Sequence, residues 1–322
     1  MMKKINLGII SPGEHFARNI LPALSKISSI EIVAIYSKKK NYNLIKSVNI
    51  YDNLNSFLKE KNIDVVYISS PNSFHFNHAI KSLKNNKHVI CEKPLVTSIK
   101  QFKKLLRFSK KNNKFLFEGF MFQYHLQFET LKKLINKKKI GKIISINASF
   151  CYPHKKKKDI RYYKKLGGGA FLDAGCYLFK LSSLIFNNEP SKVILEKYIS
   201  PKYQVDTYGN CQLFYKKGFI ANLEWGMGFK YINQLQILTN NSSLLLDKIF
   251  SKKSSEVQSI KIFKGDKKLK VIKLNKMNHF IRMFENYLRI IKKNNFLKYS
   301  LYLKELSHHQ NFYLKIYSRY YK

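Results

Sequence analysis

The chain has 322 residues, 45% of them hydrophobic, with 21 Tyr and 24 Phe. That is enough for two domains with ordinary cores, and it excludes a solvated, disordered coil. The formal net charge of +41 raises a nucleic-acid reading. However, lysine far outnumbers arginine and is spread along the whole chain among abundant Asn, Ile, Tyr and Phe, the pattern of drift in an AT-rich genome rather than of a dedicated polyanion site.

Ile5 to Ile10 reads as a first strand, followed by Ser11-Pro12-Gly13 and a helix running to Leu24. Against G-x-G-x-x-G, the three glycine places are held by Ser11, Gly13 and Phe16. Gly13 keeps the place at which backbone approaches a pyrophosphate. The turn Ser11, Gly13, Glu14, His15 and Phe16 also stands at a helix start, which attracts phosphate. The second strand, Glu31 to Tyr36, ends in Ser37-Lys38, where a carboxylate would otherwise accept from a ribose 2′-hydroxyl. Serine followed by lysine suits a 2′-phosphate instead, favouring NADP over NAD. Asp64 to Ser69 is a third strand, running into Ser70-Pro71-Asn72 and His75, small and polar enough for the nicotinamide half of a cofactor. His75 and His78 have H-x-x-H spacing but no third ligand, so packing is the reading and no metal is expected.

A helix over Asn77 to Leu83 precedes the strand His88 to Cys91, which runs into Glu92-Lys93-Pro94-Leu95. A lysine at the carboxyl end of a strand, before a helix, lies where open α/β sheets bind ligands. Pro94 removes a backbone donor and permits a cis bond. With a helix over Ile99 to Ser109 and a strand over Lys114 to Phe117, apolar strands alternate with helices, predicting a parallel sheet covered on both faces.

After a helix around Leu131 to Ile135 the rhythm changes. Lys142 to Tyr152 alternates like a strand, and Phe219 to Trp225 puts apolar residues on one face with Asn222 and Glu224 on the other. Lys216-Lys217-Gly218 before it reads as a hairpin connection with glycine at positive φ. Gly167-Gly168-Gly169 is read as opening a helix on which Asp173 and Tyr177, four apart, share a face. Ile281 to Ile291 and Leu301 to Tyr313 look like closing helices. The expected division is 1–120 and 121–322. Four scattered cysteines without a C-x-x-C pair, an apolar start too short for a secretory signal, and no apolar run of spanning length predict a cytoplasmic protein with no membrane partner.

Five of these pieces, in this order, resemble the Gfo/Idh/MocA family of NAD(P)-dependent oxidoreductases, which act mostly on sugars, inositols and related polyols. They are the glycine turn, Ser70-Pro71-Asn72 with His75, Glu92-Lys93-Pro94-Leu95, Glu118-Gly119-Phe120-Met121, and the segment from Gly167 to Tyr177. The resemblance implies an N-terminal Rossmann-type doubly wound sheet over 1–120. It implies a C-terminal α+β domain over 121–322 with a large, predominantly antiparallel open sheet, used for substrate binding and assembly into a homodimer or tetramer. Lys93 corresponds to the family lysine that contacts nicotinamide ribose and substrate hydroxyl, and its bond to Pro94 is often cis there. Asp173 and Tyr177 correspond to the substrate-side pair, with tyrosine as in the branch of glucose–fructose oxidoreductase, dihydrodiol dehydrogenase and nucleotide-sugar ketoreductases. His125 and Arg161 lie in segments that face the substrate in relatives, and Gln123 stands where this branch commonly has arginine.

The chemistry expected is hydride transfer to or from a carbon of a sugar, sugar nucleotide or polyol. Tyr177 gives the proton and Lys93 stabilises the developing alkoxide, while Asp173 orients the substrate or Lys93. A phenol titrates near 10, so Tyr177 needs a cation nearby, the part read for Lys93. Two other readings compete: a catalytically inactive dinucleotide-binding regulator or scaffold, and a basic nucleic-acid binder.

Overall fold

The computed structural model describes residues 4–38, 45, 48–137, 139–156, 158–265 and 267–321. In chain order the first strands are β1 (Ile5–Ile10), β2 (Ile30–Tyr36), β3 (Asn49–Tyr51), β4 (Val65–Ile68), β5 (His88–Cys91) and β6 (Leu116–Glu118). They alternate with α1 (Leu21–Leu24), α2 (Leu54–Lys59), α3 (Asn72–Lys84) and α4 (Ile99–Lys111). Next come α5 (Leu126–Asn136), β7 (Ile143–Tyr152), α6 (Cys176–Phe186), β8 (Lys192–Ile199), β9 (Asp206–Phe214) and β10 (Ile220–Met227). The chain ends with β11 (Ile232–Thr239), β12 (Ser243–Asp247), β13 (Gln258–Lys264), β14 (Lys267–Leu274), α7 (His279–Lys292) and α8 (Phe296–Tyr320). The chain forms two units, Met1–Phe120 with Phe280–Gln310, and Met121–His279 with Asn311–Lys322.

In the first unit six strands pair in parallel in the order β3-β2-β1-β4-β5-β6. The order reverses between β1 and β4, the switch point at which open α/β sheets leave a crevice at their carboxyl ends. Local chemistry fixes the helix starts. The Asn53 side chain accepts from the amides of Asn55 and Ser56 to cap α2, and Ser98 accepts from the Gln101 amide to cap α4.

The expected division left 280–310 with the second part, yet this stretch packs on the first sheet. The reason is the exposed edge of β6. Tyr299 and Tyr302 place their hydroxyls 2.8 and 2.7 Å from the Leu116 and Glu118 amides, and the Tyr287 hydroxyl donates to the Glu118 carbonyl at 2.7 Å. Tyr287 also stacks on Phe117 at 4.3 Å between centroids. An edge strand presents unpaired backbone groups, and here phenols from the end of the chain satisfy them.

In the second unit eight strands pair in the order β14-β13-β12-β11-β7-β10-β9-β8. All pairs are antiparallel except β7 with β10. Ala221, Leu223 and Trp225 face inward and are buried, with Asn222 and Glu224 on the other face, as the alternation predicts. The connection before β10 has Lys217 at φ 70° and Gly218 at φ 79°, closed by a Tyr215 N–H to Phe219 carbonyl bond. The expectation that no run is long and apolar enough to cross a membrane needs correcting. Lys164–Phe186 meets that test by length and composition, but 78% of its apolar window is buried inside the fold. Its apolarity is that of a core segment, in which Phe171 and Phe179 pack against Trp225.

Candidate functional site

The carboxyl ends of β1, β2, β4 and β5 carry the predicted cofactor residues, all on one edge of the first sheet. After β1, Ser11 sits at φ 51°, the left-handed region, where the fingerprint has its first glycine. Its amide donates to the Tyr36 carbonyl at 2.8 Å. A Cβ on Gly13 would meet no heavy atom within 4 Å. This opening at a helix start fits the approach of a pyrophosphate, so the residues present suit a dinucleotide. Phe16, in place of the third glycine, is fully buried against Tyr67, and the helix opens into a wider π-type turn over Phe16–Ile20. Glu14 is exposed and pairs with Arg18, whereas His15 is partly exposed with Nε2 3.6 Å from the Glu92 carboxylate. At the end of β2, Ser37 is buried, its amide donating to the Tyr51 carbonyl, and Lys38 is exposed.

Asn72 is the first residue of α3, with Pro71 as its cap, so the helix starts five residues earlier than the reading of Asn77. Proline fixes φ, here −57°, at a place where a helix can begin. The earlier start puts His75 and His78 on the helix. His78 accepts from or donates to the Ser70 hydroxyl at 2.9 Å, and burial pushes its pKa down to about 4. His75 is buried with Nδ1 2.7 Å from the Pro94 carbonyl and Nε2 2.8 Å from the Ser70 carbonyl. Both ring nitrogens of His75 therefore face protein atoms rather than a cofactor.

The Lys93–Pro94 peptide is cis. Around it, Tyr67 donates to the Glu92 carboxylate at 2.5 Å and the Leu95 amide donates to the Glu118 carboxylate at 2.7 Å. Glu118, fully buried, also accepts both bonds from the Gln310 amide, at 3.0 and 2.9 Å. For Glu92, burial works to raise the pKa, but hydrogen bonding and charge from His15, then Tyr67 and Lys93, outweigh it and hold the carboxyl below its ordinary value. The loop thus presents an ionised carboxylate beside Lys93.

In the second unit, the glycine run wraps tightly around other backbone. A Cβ on Gly168 would lie 2.4 Å from the Arg161 carbonyl oxygen, and one on Gly169, at φ 108°, would lie 2.2 Å from Asp206 Oδ1. The helix it opens is not regular at first. Phe171–Gly175 is a π-type turn in which the Cys176 amide reaches back five residues to Phe171. Asp173 lies in this turn and takes Arg161 Nε on Oδ2 at 2.6 Å, while Arg161 Nη1 also bonds Asp159 at 3.1 Å. The Asp173 charge pushes the Arg161 guanidinium still higher than its ordinary value. Tyr177 is buried among Phe122, Phe150 and Phe250, and its hydroxyl donates to the Met121 sulfur at 3.4 Å.

His125, predicted as a substrate contact, is 1% exposed and caps α5, its Nδ1 accepting from the Gln127 amide at 3.0 Å. Arg161 is committed to Asp173 and Asp159. Among the described residues no group of three His, Cys, Asp or Glu is arranged to hold a metal.

Sequence reading missed Asp206, which is buried and accepts from the Phe171 amide at 2.7 Å, from Trp225 Nε1 at 3.3 Å and from the Tyr321 hydroxyl at 3.4 Å. Burial raises its pKa to about 6 against these bonds. Nothing around it in the sequence marks it, because its three donors come from 35, 19 and 115 residues away. Glu118 falls in a recognised motif, but its partner Gln310 lies 192 residues on.

Residues 5–120 match a family model described as the oxidoreductase family with an NAD-binding Rossmann fold, and residues 128–244 match the GFO/IDH/MocA C-terminal domain. The chain is 29% identical to a dTDP-3,4-didehydro-2,6-dideoxy-alpha-D-glucose 3-reductase from Actinomadura kijaniata, over 77% of this chain and 76% of that protein. It is 32% identical to a trans-1,2-dihydrobenzene-1,2-diol dehydrogenase from Xenopus laevis, over 56% and 57%. A crystal structure of a 3-ketoreductase from Actinomadura kijaniata, in complex with NADP and TDP-benzene, superimposes with a TM-score of 0.84 at 25% identity, over 91% of each chain.

Proposed function

Because the chain belongs to the Gfo/Idh/MocA family of oxidoreductases with an NAD-binding Rossmann fold, we propose that it is an NADPH-dependent ketoreductase of a nucleotide-linked keto sugar. The observation that carries this reading is Tyr177, a buried phenol whose proton goes to a thioether sulfur. Sulfur is a weak acceptor, which a ketone oxygen replaces at little cost. Similarity to the dTDP-sugar 3-reductase supports the substrate class. The NADP complex of the similar structure and Ser37-Lys38 at the end of β2 support NADPH.

Bound NADPH supplies the hydride. Tyr177 gives its hydroxyl proton to the carbonyl oxygen as the carbon is reduced, and solvent restores the phenol. Lys93 stabilises the negative charge that grows on that oxygen. Asp173, held by Arg161 Nε at 2.6 Å, accepts a sugar hydroxyl and orients the ring. The test is steady-state reduction of a dTDP-linked 3-keto sugar. Lys93→Ala is expected to cost about 10³-fold in kcat with an unchanged circular dichroism spectrum. Near-normal turnover in that variant sinks the mechanism, and tighter NADH than NADPH binding by fluorescence titration sinks the cofactor preference.

We place the protein in the cytoplasm as a homodimer or homotetramer joined through the outer face of the large sheet. Asn147, Asn222, Gln212 and Gln236 stand in one cross-strand row on that face. The outward positions of β7, β9, β10, β11 and β12 carry no lysine or arginine, in a chain with 60 of them. Glu224 and Asp247 carry charge at those positions, and such a depletion of lysine suits the buried centre of an interface.

A further inference from the structure

We propose that His75 is a positioning residue for Lys93: its ring ties the loop that carries Lys93 to the loop that ends β4, and so fixes where the ammonium points. This rests on the reading of Lys93 as the group that stabilises the alkoxide. The ring is 1% exposed, with Nδ1 2.7 Å from the Pro94 carbonyl oxygen and Nε2 2.8 Å from that of Ser70. Carbonyl oxygens only accept, and burial lowers the ring's pKa, so the neutral imidazole donates its one N–H to one of the two carbonyls and lies in contact with the other.

The position of these contacts gives the role its direction. Pro94 follows Lys93 directly and has no N–H, so its carbonyl is where the backbone beside Lys93 can be held. The other holds fall to either side: Tyr67 on the Glu92 carboxylate, and Glu118 on the Leu95 amide. Glu118 is itself braced by Gln310. On the opposite side of the ring, Ser70 belongs to the loop predicted for the nicotinamide half of the cofactor. His78 steadies that loop through the Ser70 hydroxyl. One side chain therefore spaces two loops whose relative position sets the geometry of hydride transfer. A displacement of about 1 Å in such a group costs up to roughly 10²-fold in rate.

The experiment compares His75→Phe, which keeps a ring and removes both nitrogens, with His75→Gln, which keeps an amide donor. In the protein alone, amide exchange at Glu92, Lys93 and Leu95 is expected to speed up about tenfold or more in His75→Phe, with β4 and β5 still protected. With a dTDP-linked 3-keto sugar and NADPH, kcat is expected to fall roughly 10–100-fold while KM for the sugar changes by less than about threefold. His75→Gln is expected to recover part of both losses. Wild-type exchange in the loop of His75→Phe overturns the proposal. So does a loss of protection spread equally through β4 and β5, which marks a merely structural part. If the unmodified protein does not reduce the sugar, the substrate reading fails, and the exchange result alone decides for or against His75.

Discussion

Ser11 shows what a single residue costs in the turn after β1. Its φ of 51° is the conformation for which the fingerprint keeps glycine, and a residue with a Cβ pays about 1 kcal/mol to hold it. Ser11→Gly removes that strain but loosens the unfolded chain, so a net gain of about 0.5 kcal/mol is expected in urea denaturation. Ser11→Val, β-branched, is expected to lose about 1–2 kcal/mol, and equal stability of all three proteins would contradict the strain. Asp206 carries the clearest pH dependence. Burial raises its folded pKa from 3.8 to about 6, so its contribution is greatest below the unfolded value and is lost as pH rises through about 6. Asp206→Asn keeps an acceptor for the Phe171 amide without that loss. The stability of Asp206→Asn relative to the natural protein should therefore improve by about 2 kcal/mol between about pH 4.5 and pH 7.5. A pH-independent difference from denaturation at both values would remove Asp206 as a titrating group.

Elements here are finished by groups far away in sequence. The β6 edge depends on Tyr299, whose hydroxyl meets the Leu116 amide and Ser109 Oγ, and whose phenol is pushed up to about 12 by burial. Tyr299→Phe leaves a buried amide without its acceptor and is expected to cost about 1–3 kcal/mol in urea denaturation. Tyr163→Phe, at a site 46% exposed, is the control and should stay within about 0.5 kcal/mol. An equal effect of the two would mean that the phenols do not seal the edge. The glycine run before Asp173 works differently. Gly168 and Gly169 are required because Arg161 backbone and Asp206 carboxylate occupy the space of a Cβ. The motif is legible in sequence as a turn, but what it wraps is not.

At the scale of the whole molecule, the chain returns 280–310 to the unit with which it began, so neither unit is a continuous segment. The formal charge of +41 is unevenly used, since five adjoining strands of the large sheet keep lysine and arginine off their outer face. If that face joins copies of the chain, Gln236→Lys with Asn147→Lys places a row of like charges across it. Light scattering should then report monomers at micromolar concentration where the unaltered protein is oligomeric. An unchanged mass would exclude the face.

The sequence by itself determined the alternation of strands and helices through residue 120 apart from β3 and α2, which it did not mark, the turn after β1, and the placing of Lys93 at the end of β5. Each follows from local rules of periodicity, capping and strand-end position that act over a few residues. It also marked Asp173 and Tyr177, through the glycine run before them. Tertiary structure alone decided which groups hold them: Arg161 on Asp173, Met121 on Tyr177, His75 and Glu118 on the Lys93 loop, and Asp206 behind the glycine turn. It also decided that α7 and much of α8 seal the first sheet. The physical reason is the same throughout: a buried polar group must be satisfied, but its partner is set by proximity in the fold, and local sequence pattern carries no record of that.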